Sequence, residues 1–157
     1  MDPGTDPRAV IEALAKHEEA LSALYAAFAD AYPQVEGLWR TLSHEEHGHA
    51  RLLRSLADKR EDLQSFIDAR RFDVDTVTAE TTKITSIIKA VPSGAIPLQE
   101  AFRVALKFED GIIDGQIFMV TVDDTPAVAK VLGALEEQTE RHRAHLRESF
   151  ATLPSTS

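Results

Sequence analysis

Trp39-Arg40-Thr41-Leu42-Ser43-His44-Glu45-Glu46-His47-Gly48-His49-Ala50-Arg51-Leu52-Leu53 is apolar at its ends and charged at its centre. Trp39, Leu42, Glu46, His49 and Leu53 recur at intervals of three and four, the period of one face of an α-helix. Val35 and Ala57 continue the stripe in both directions. Its middle is a carboxylate and an imidazole, and at i and i+3 both reach the same point beside the helix.

Three other segments repeat the pattern. Upstream the stripe is Ile11, Leu14, Glu18, Leu21, Tyr25, Phe28, Ala29 and Tyr32. Downstream it is Leu98, Phe102, Ala105, Glu109, Ile112, Gln116 and Val120, and then Val128, Val131, Leu135, Thr139, His142, Leu146 and Phe150. Each face is apolar at both ends and polar in the middle, so the polar residues fall at one level of an assembly of helices.

Punctuation gives the layout. Asp6-Pro7 and Thr125-Pro126 are each an N-cap residue followed by proline at the first helical position. Pro33 breaks the first segment after Ala31, and the second fades in the charged run Asp58 to Asp62. The third runs from Pro97 to about Val122 and the fourth to Phe150. Each is roughly 24 to 26 residues, a rod of about 36 to 39 Å. Tight links at Tyr32-Pro33 and Asp123-Asp124-Thr125 make antiparallel neighbours, whereas the long connection between the second and third segments can cross a bundle. The expected fold is all-α: an antiparallel four-helix bundle over residues 8–150. Two hairpins, about 8–58 and 97–150, flank a crossover, 59–96, with tails at 1–7 and 151–157. Within the crossover, Val77, Ile84, Ile87 and Ile88 suggest a short helix from Asp75 to Ala90, although its threonines are indifferent helix formers.

Composition narrows the chemistry. A length of 157 residues suits one domain. Acidic residues number 26 against 17 basic ones, a net charge of −9, which argues against a nucleic-acid surface and for attraction of cations. There is no cysteine, so disulfides, thiolate zinc, iron–sulfur clusters and a cysteine nucleophile are excluded. No basic-then-apolar leader opens the chain and no run of about 18 apolar residues occurs. The expectation is a cytoplasmic protein with no membrane span.

Three buried carboxylates, Glu18, Glu46 and Glu109, would repel one another, and none of the four stripes holds a lysine or arginine. Burial of an unpaired carboxylate costs several kcal/mol or neutralises it. One divalent ion or a pair would compensate, and carboxylate with imidazole suits iron or manganese. Taken singly, each glutamate also reads as a flank residue reaching water, and His49 or His142 as a satisfied core histidine. Their coincidence at one level is what favours metal. Glu19, Glu45, Asp110, Glu136, Glu137 and Glu140 lie off the stripes and read as solvated charge, while His17 and His47 lie on flanks. His44-Glu45 fails the zinc-protease pattern, because the position of its second histidine is Gly48. His142 with His145, one turn on, is a weaker alternative.

Glu18 with Tyr25 and Phe28-Ala29, followed by Glu46-x-x-His49-Ala50, resembles the rubrerythrins and the wider ferritin-like di-iron carboxylate family. Glu109 and His142 repeat the half-motif at nearly the same separation as Glu18 and His49. The resemblance implies a ferritin-like bundle with Glu18, Glu46, His49, Glu109 and His142 as metal ligands and Glu46 and Glu109 as bridges. It implies two iron ions, the second weakly held, with manganese admissible. The family's remaining carboxylate would stand at Thr139, which departs from the pattern, and Gln138 beside it offers an amide oxygen. Gln116 stands where a second Tyr25 would, and the cysteine-rich rubredoxin module of rubrerythrins has no counterpart.

The resemblance therefore implies oxidation of Fe(II) or reduction of O₂ or H₂O₂, with an external electron donor and a homo-oligomer, a dimer or larger. Tyr25 would donate a hydrogen bond to the site or scavenge an oxidising equivalent. The alternatives are iron storage and a degenerate bundle without catalysis.

Overall fold

A computed structural model of the chain describes residues 6–57, 74–111 and 125–153. They form helices α1 (Pro7–Ala31), α2 (Glu36–Arg54), α3 (Val74–Ala90), α4 (Leu98–Glu109) and α5 (Pro126–Ala151), with 3₁₀ turns at Pro33–Val35 and Val91–Ser93. No strand occurs among the described residues, so the fold is all-α.

The expected caps are in place. Asp6 accepts a hydrogen bond from the Arg8 amide with Pro7 opening α1, and Thr125 accepts from the Val128 amide with Pro126 opening α5. α3 matches the helix expected inside the crossover. Thr81, Thr82, Thr85 and Ser86 return their hydroxyls to carbonyls one turn back, as Thr81 does to Val77 and Thr85 to Thr81. Gly94, at φ +75°, closes the turn after α3 in a backbone conformation that side chains disfavour. α2 ends at Arg54 rather than in the run from Asp58. Ile112, Gln116, Val120 and the Asp123-Asp124 link lie outside the described residues.

α1 and α2 are an antiparallel hairpin. Arg40 meets Asp30 near the turn, Ser22 and Ser43 exchange hydroxyl-to-carbonyl bonds of 2.7 Å at mid-length, and Arg54 clasps Glu12 and Glu19 at the far end. α4 and α5 also run antiparallel: Arg103 lies over the Phe150 ring, and Arg143 donates to the Glu109 carbonyl. α3 packs on α1 and runs alongside it, Val77 joining the cluster of Val10 and Leu14, and Ile84 that of Leu21 and Leu24.

The core is two apolar clusters. One gathers Ile11, Leu14, Leu53, Val77, Leu132 and Leu135. The other centres on Trp39, which touches Phe28 at 4.9 Å, Phe102 at 5.0 Å and Tyr25 at 5.8 Å between ring centroids. Along α5 the inward positions are Val128, Leu132 and Leu135, so Leu132 takes the place expected of Val131. Between the clusters lie the buried polar residues His17, Glu18, Glu46, His49, Glu109, Thr139 and His142.

Because both clusters are closely packed, Trp39→Ala is expected to cost about 3–5 kcal/mol and Leu14→Ala about 2–5 kcal/mol. Each should appear as a lower urea midpoint at unchanged slope. A Leu14→Ala protein as stable as its parent would show that the first cluster is not packed as described.

Candidate metal centre

Each ligand candidate sits between apolar neighbours that fix its helix face. Glu18 falls between Leu14 and Leu21, Glu46 between Leu42 and Leu53, Glu109 after Phe108, and His142 between Leu135 and Leu146, all these neighbours being buried or nearly so. The hydrophobic stripes thus carry the polar groups inward, and all five expected ligands meet there.

They form two triplets sharing one residue. Glu18, Glu46 and His49 offer ligand atoms within 4.8 Å of one another, and so do Glu46, Glu109 and His142. Glu46 divides its carboxylate between them: Oε2 is 3.0 Å from His49 Nδ1 and Oε1 is 3.0 Å from His142 Nδ1. Glu18 Oε2 lies 3.8 Å from His49 Nδ1, and Glu109 Oε1 lies 3.5 Å from His142 Nδ1. The two imidazoles stack with centroids 5.3 Å apart.

A ring of supporting contacts orients these groups. His49 Nε2 donates to the Gln138 amide oxygen, and His142 Nε2 donates to the Glu45 carboxylate. With the proton held on Nε2, Nδ1 of each ring is the atom that faces the shared carboxylate. Metal-binding histidines are oriented in this way by a second hydrogen bond. Tyr25 donates its hydroxyl proton to Glu109 Oε1 at 2.9 Å.

Several positions differ from the sequence reading. Glu45, expected to be solvated, folds back onto His142. Gln138 serves His49 rather than filling the place of Thr139. His17, expected on a flank, is fully buried, because α3 covers that side of α1. Its partner Glu80 falls between Val77 and Ile84 on α3, a polar residue on an apolar stripe that signals an inward contact. Glu19 and Asp110 keep the surface exposure expected of them, Glu19 paired with Arg54 and Asp110 with Arg143 and Arg147. His145 is exposed, which removes the His142–His145 alternative. Thr139 is buried within the layer.

Electrostatics shows how the metal-free layer balances its charge. Burial pushes His49 down, but the carboxylates of Glu46 and Glu18 outweigh it and hold the imidazole at about 11. Burial likewise opposes the charge on His142, and Glu109 and Glu46 raise it to about 10. Burial and the Glu109 charge push Glu46 up, and its contacts with Glu18, His49 and His142 outweigh both, leaving it below the usual carboxylate range. Protons on two imidazoles therefore supply positive charge that a divalent ion would otherwise bring. The donor set fits such ions, being carboxylate oxygens and oriented imidazole nitrogens converging on two points.

No protein-family model, curated protein or solved structure matches this chain.

The raised imidazole values make the metal-free protein sensitive to pH. Their stabilisation is fully present below about pH 6.5 and is lost as the pH rises through about 10 to 11. Chelator-treated protein should therefore melt at progressively lower temperature from about pH 7 to about pH 10. Divalent-metal binding competes with the same protons and should tighten over that interval. A chelated protein whose melting temperature is flat across it would show that His49 and His142 do not carry these protons.

Proposed function

We propose that the chain is a ferritin-like four-helix bundle of rubrerythrin type that holds two metal ions, iron foremost and manganese admissible. Its activity would be oxidation of Fe(II) or reduction of O₂ or H₂O₂. The observation that carries this reading is the Glu46 carboxylate, with one oxygen turned to each of two histidines in two three-ligand groups. A single carboxylate placed to serve two ions is what a dimetal centre requires.

In this reading Glu18 and His49 hold one ion, Glu109 and His142 the other, and Glu46 is shared; the second bridge that the resemblance implies for Glu109 is not part of this geometry, in which Glu109 stands only in the triplet of His142. A ferrous pair supplies two electrons, the number needed to convert H₂O₂ and two protons to two waters, or O₂ and two protons to H₂O₂. The chain's own groups do the rest. Gln138 and Glu45 fix the imidazoles, and the two apolar clusters keep bulk water from the layer. Tyr25 holds a proton against Glu109 Oε1 and adjoins the Trp39 ring, which makes it the residue best placed to exchange a proton or an electron with the centre. An external donor would return the centre to its reduced state.

Thr139 favours an asymmetric pair. It lies one turn before His142, where Glu46 stands relative to His49, and it offers a hydroxyl without charge. The ion at Glu18, Glu46 and His49 would be held more firmly.

The test is metal content followed by anaerobic ferrous titration. Protein expressed with iron and manganese available and purified without chelator should contain bound metal, and Glu46→Ala should lose most of it. Ferrous binding in the parent should resolve a tight and a weaker class. Thr139→Glu should strengthen the weaker class and speed ferrous oxidation per chain, while making the chelated protein less stable through added buried charge. A parent that binds no ferrous iron overturns the dimetal reading. Two equally tight classes overturn the asymmetry.

A further inference from the structure

His17 takes no part in either ligand triplet, yet it is fully buried. Its ring spans two carboxylates on different helices. Nε2 lies 3.2 Å from Glu80 Oε2 on α3, and Nδ1 lies 4.0 Å from Glu18 Oε1 on α1. Neither ring nitrogen has a partner in hydrogen-bond alignment. Nε2 is at ion-pair distance from Glu80 but out of hydrogen-bond alignment, and Nδ1 stands off from Glu18, so the buried ring is only partly satisfied.

The spacing suits a cation. Two donors on one ion, each bonded at about 2.1 Å, lie roughly 3.0–3.4 Å apart in octahedral or tetrahedral geometry. The 3.2 Å between His17 Nε2 and Glu80 Oε2 falls in that range. Glu80 is partly exposed, its side chain at 21 %. It also forms part of the wall of a cavity of about 690 Å³ between α3 and α4. Water from the cavity can complete a coordination shell that the protein supplies with only two ligands. The cavity wall also bears Lys83, Arg103 and Lys107. Arg103 is paired with Glu100, and the two lysines weaken the attraction for a cation without removing the donors.

We propose that His17 and Glu80 form a third, weaker divalent-cation site at the α1–α3 contact, beside Glu18 of the dimetal centre and open to solvent through the cavity. The site rests on the dimetal reading only for its neighbour, since His17 Nδ1 lies 4.0 Å from Glu18 Oε1. Its ligands are independent of Glu46. With two protein ligands it holds an ion loosely enough to release it.

The test uses Mn(II) with the parent, Glu46→Ala and Glu80→Gln, all as full chains. Glu80 is partly exposed, so its isosteric amide should leave the fold intact, checked by an unchanged circular dichroism spectrum and melting temperature of the chelated protein. Free Mn(II) is followed by electron paramagnetic resonance, and bound Mn(II) by broadening of backbone amide signals. In Glu46→Ala, Mn(II) should still broaden the amides around Glu80 and His17. Adding Glu80→Gln should abolish that broadening and weaken the remaining class by about tenfold or more. In the parent background, Glu80→Gln should keep the tight class. If Glu46→Ala retains no Mn(II) near Glu80 while the parent binds at its centre, the third site is refuted and the dimetal reading stands. If Mn(II) binds near Glu80 but the parent has no Glu46-dependent class, the third site stands and the dimetal reading falls.

Discussion

Three carboxylates, those of Glu18, Glu46 and Glu109, lie in one buried layer, and much of the remaining structure serves to keep them there. Their mutual repulsion and lost hydration would cost several kcal/mol per charge if nothing opposed them. Opposition comes from His49 and His142, held well above the ordinary imidazole value. The apolar clusters on either side then do two things at once. They supply the hydrophobic stabilisation of the fold, and by excluding water they strengthen each electrostatic contact in the layer.

The layer also shows why particular supporting residues matter. An imidazole has two nitrogens, and only one can face the shared carboxylate. Gln138 and Glu45 settle which one by occupying Nε2 of His49 and of His142. Tyr25 does the equivalent for Glu109, where its hydroxyl engages one oxygen. These contacts come from outside the two triplets, yet they set how the carboxylate and imidazole atoms of the triplets face one another.

Helix faces were legible in the sequence because hydrophobic period and burial are the same physical fact seen twice. Glu18, Glu46, His49, Glu109 and His142 could be placed at one level from spacing alone, and the N-caps at Asp6 and Thr125 from local chemistry. What spacing does not carry is the lateral position of a helix that packs on the outside of a hairpin. α3 was visible as a helix, but its seat on α1 was not. That seat turns His17 from a flank residue into a buried one. Glu45 escaped for a different reason: a long side chain at a helix edge can reach inward by rotamer choice, which a fixed angle per residue does not represent. The place of Leu132 rather than Val131 is a shift of one position, the ordinary resolution of a period of 3.6.

Side-chain hydrogen bonds that join α1 or α2 to α4 or α5 include Tyr25 to Glu109, His49 to Gln138, and His142 to Glu45 and Glu46. Each of these begins or ends on a residue of the charged layer. Within each hairpin, by contrast, ion pairs and hydroxyl bonds knit neighbouring helices directly, as Arg54 does with Glu12 and Glu19. Each hairpin is built from contacts close in sequence and can form early, whereas docking one on the other needs the charges of both to be reconciled. The charged layer is thus the polar part of the fastening between two separately braced halves. The apolar clusters cross the same seam, as where Trp39 meets Phe102, so the layer gives direction and register to a contact that hydrophobic packing already holds.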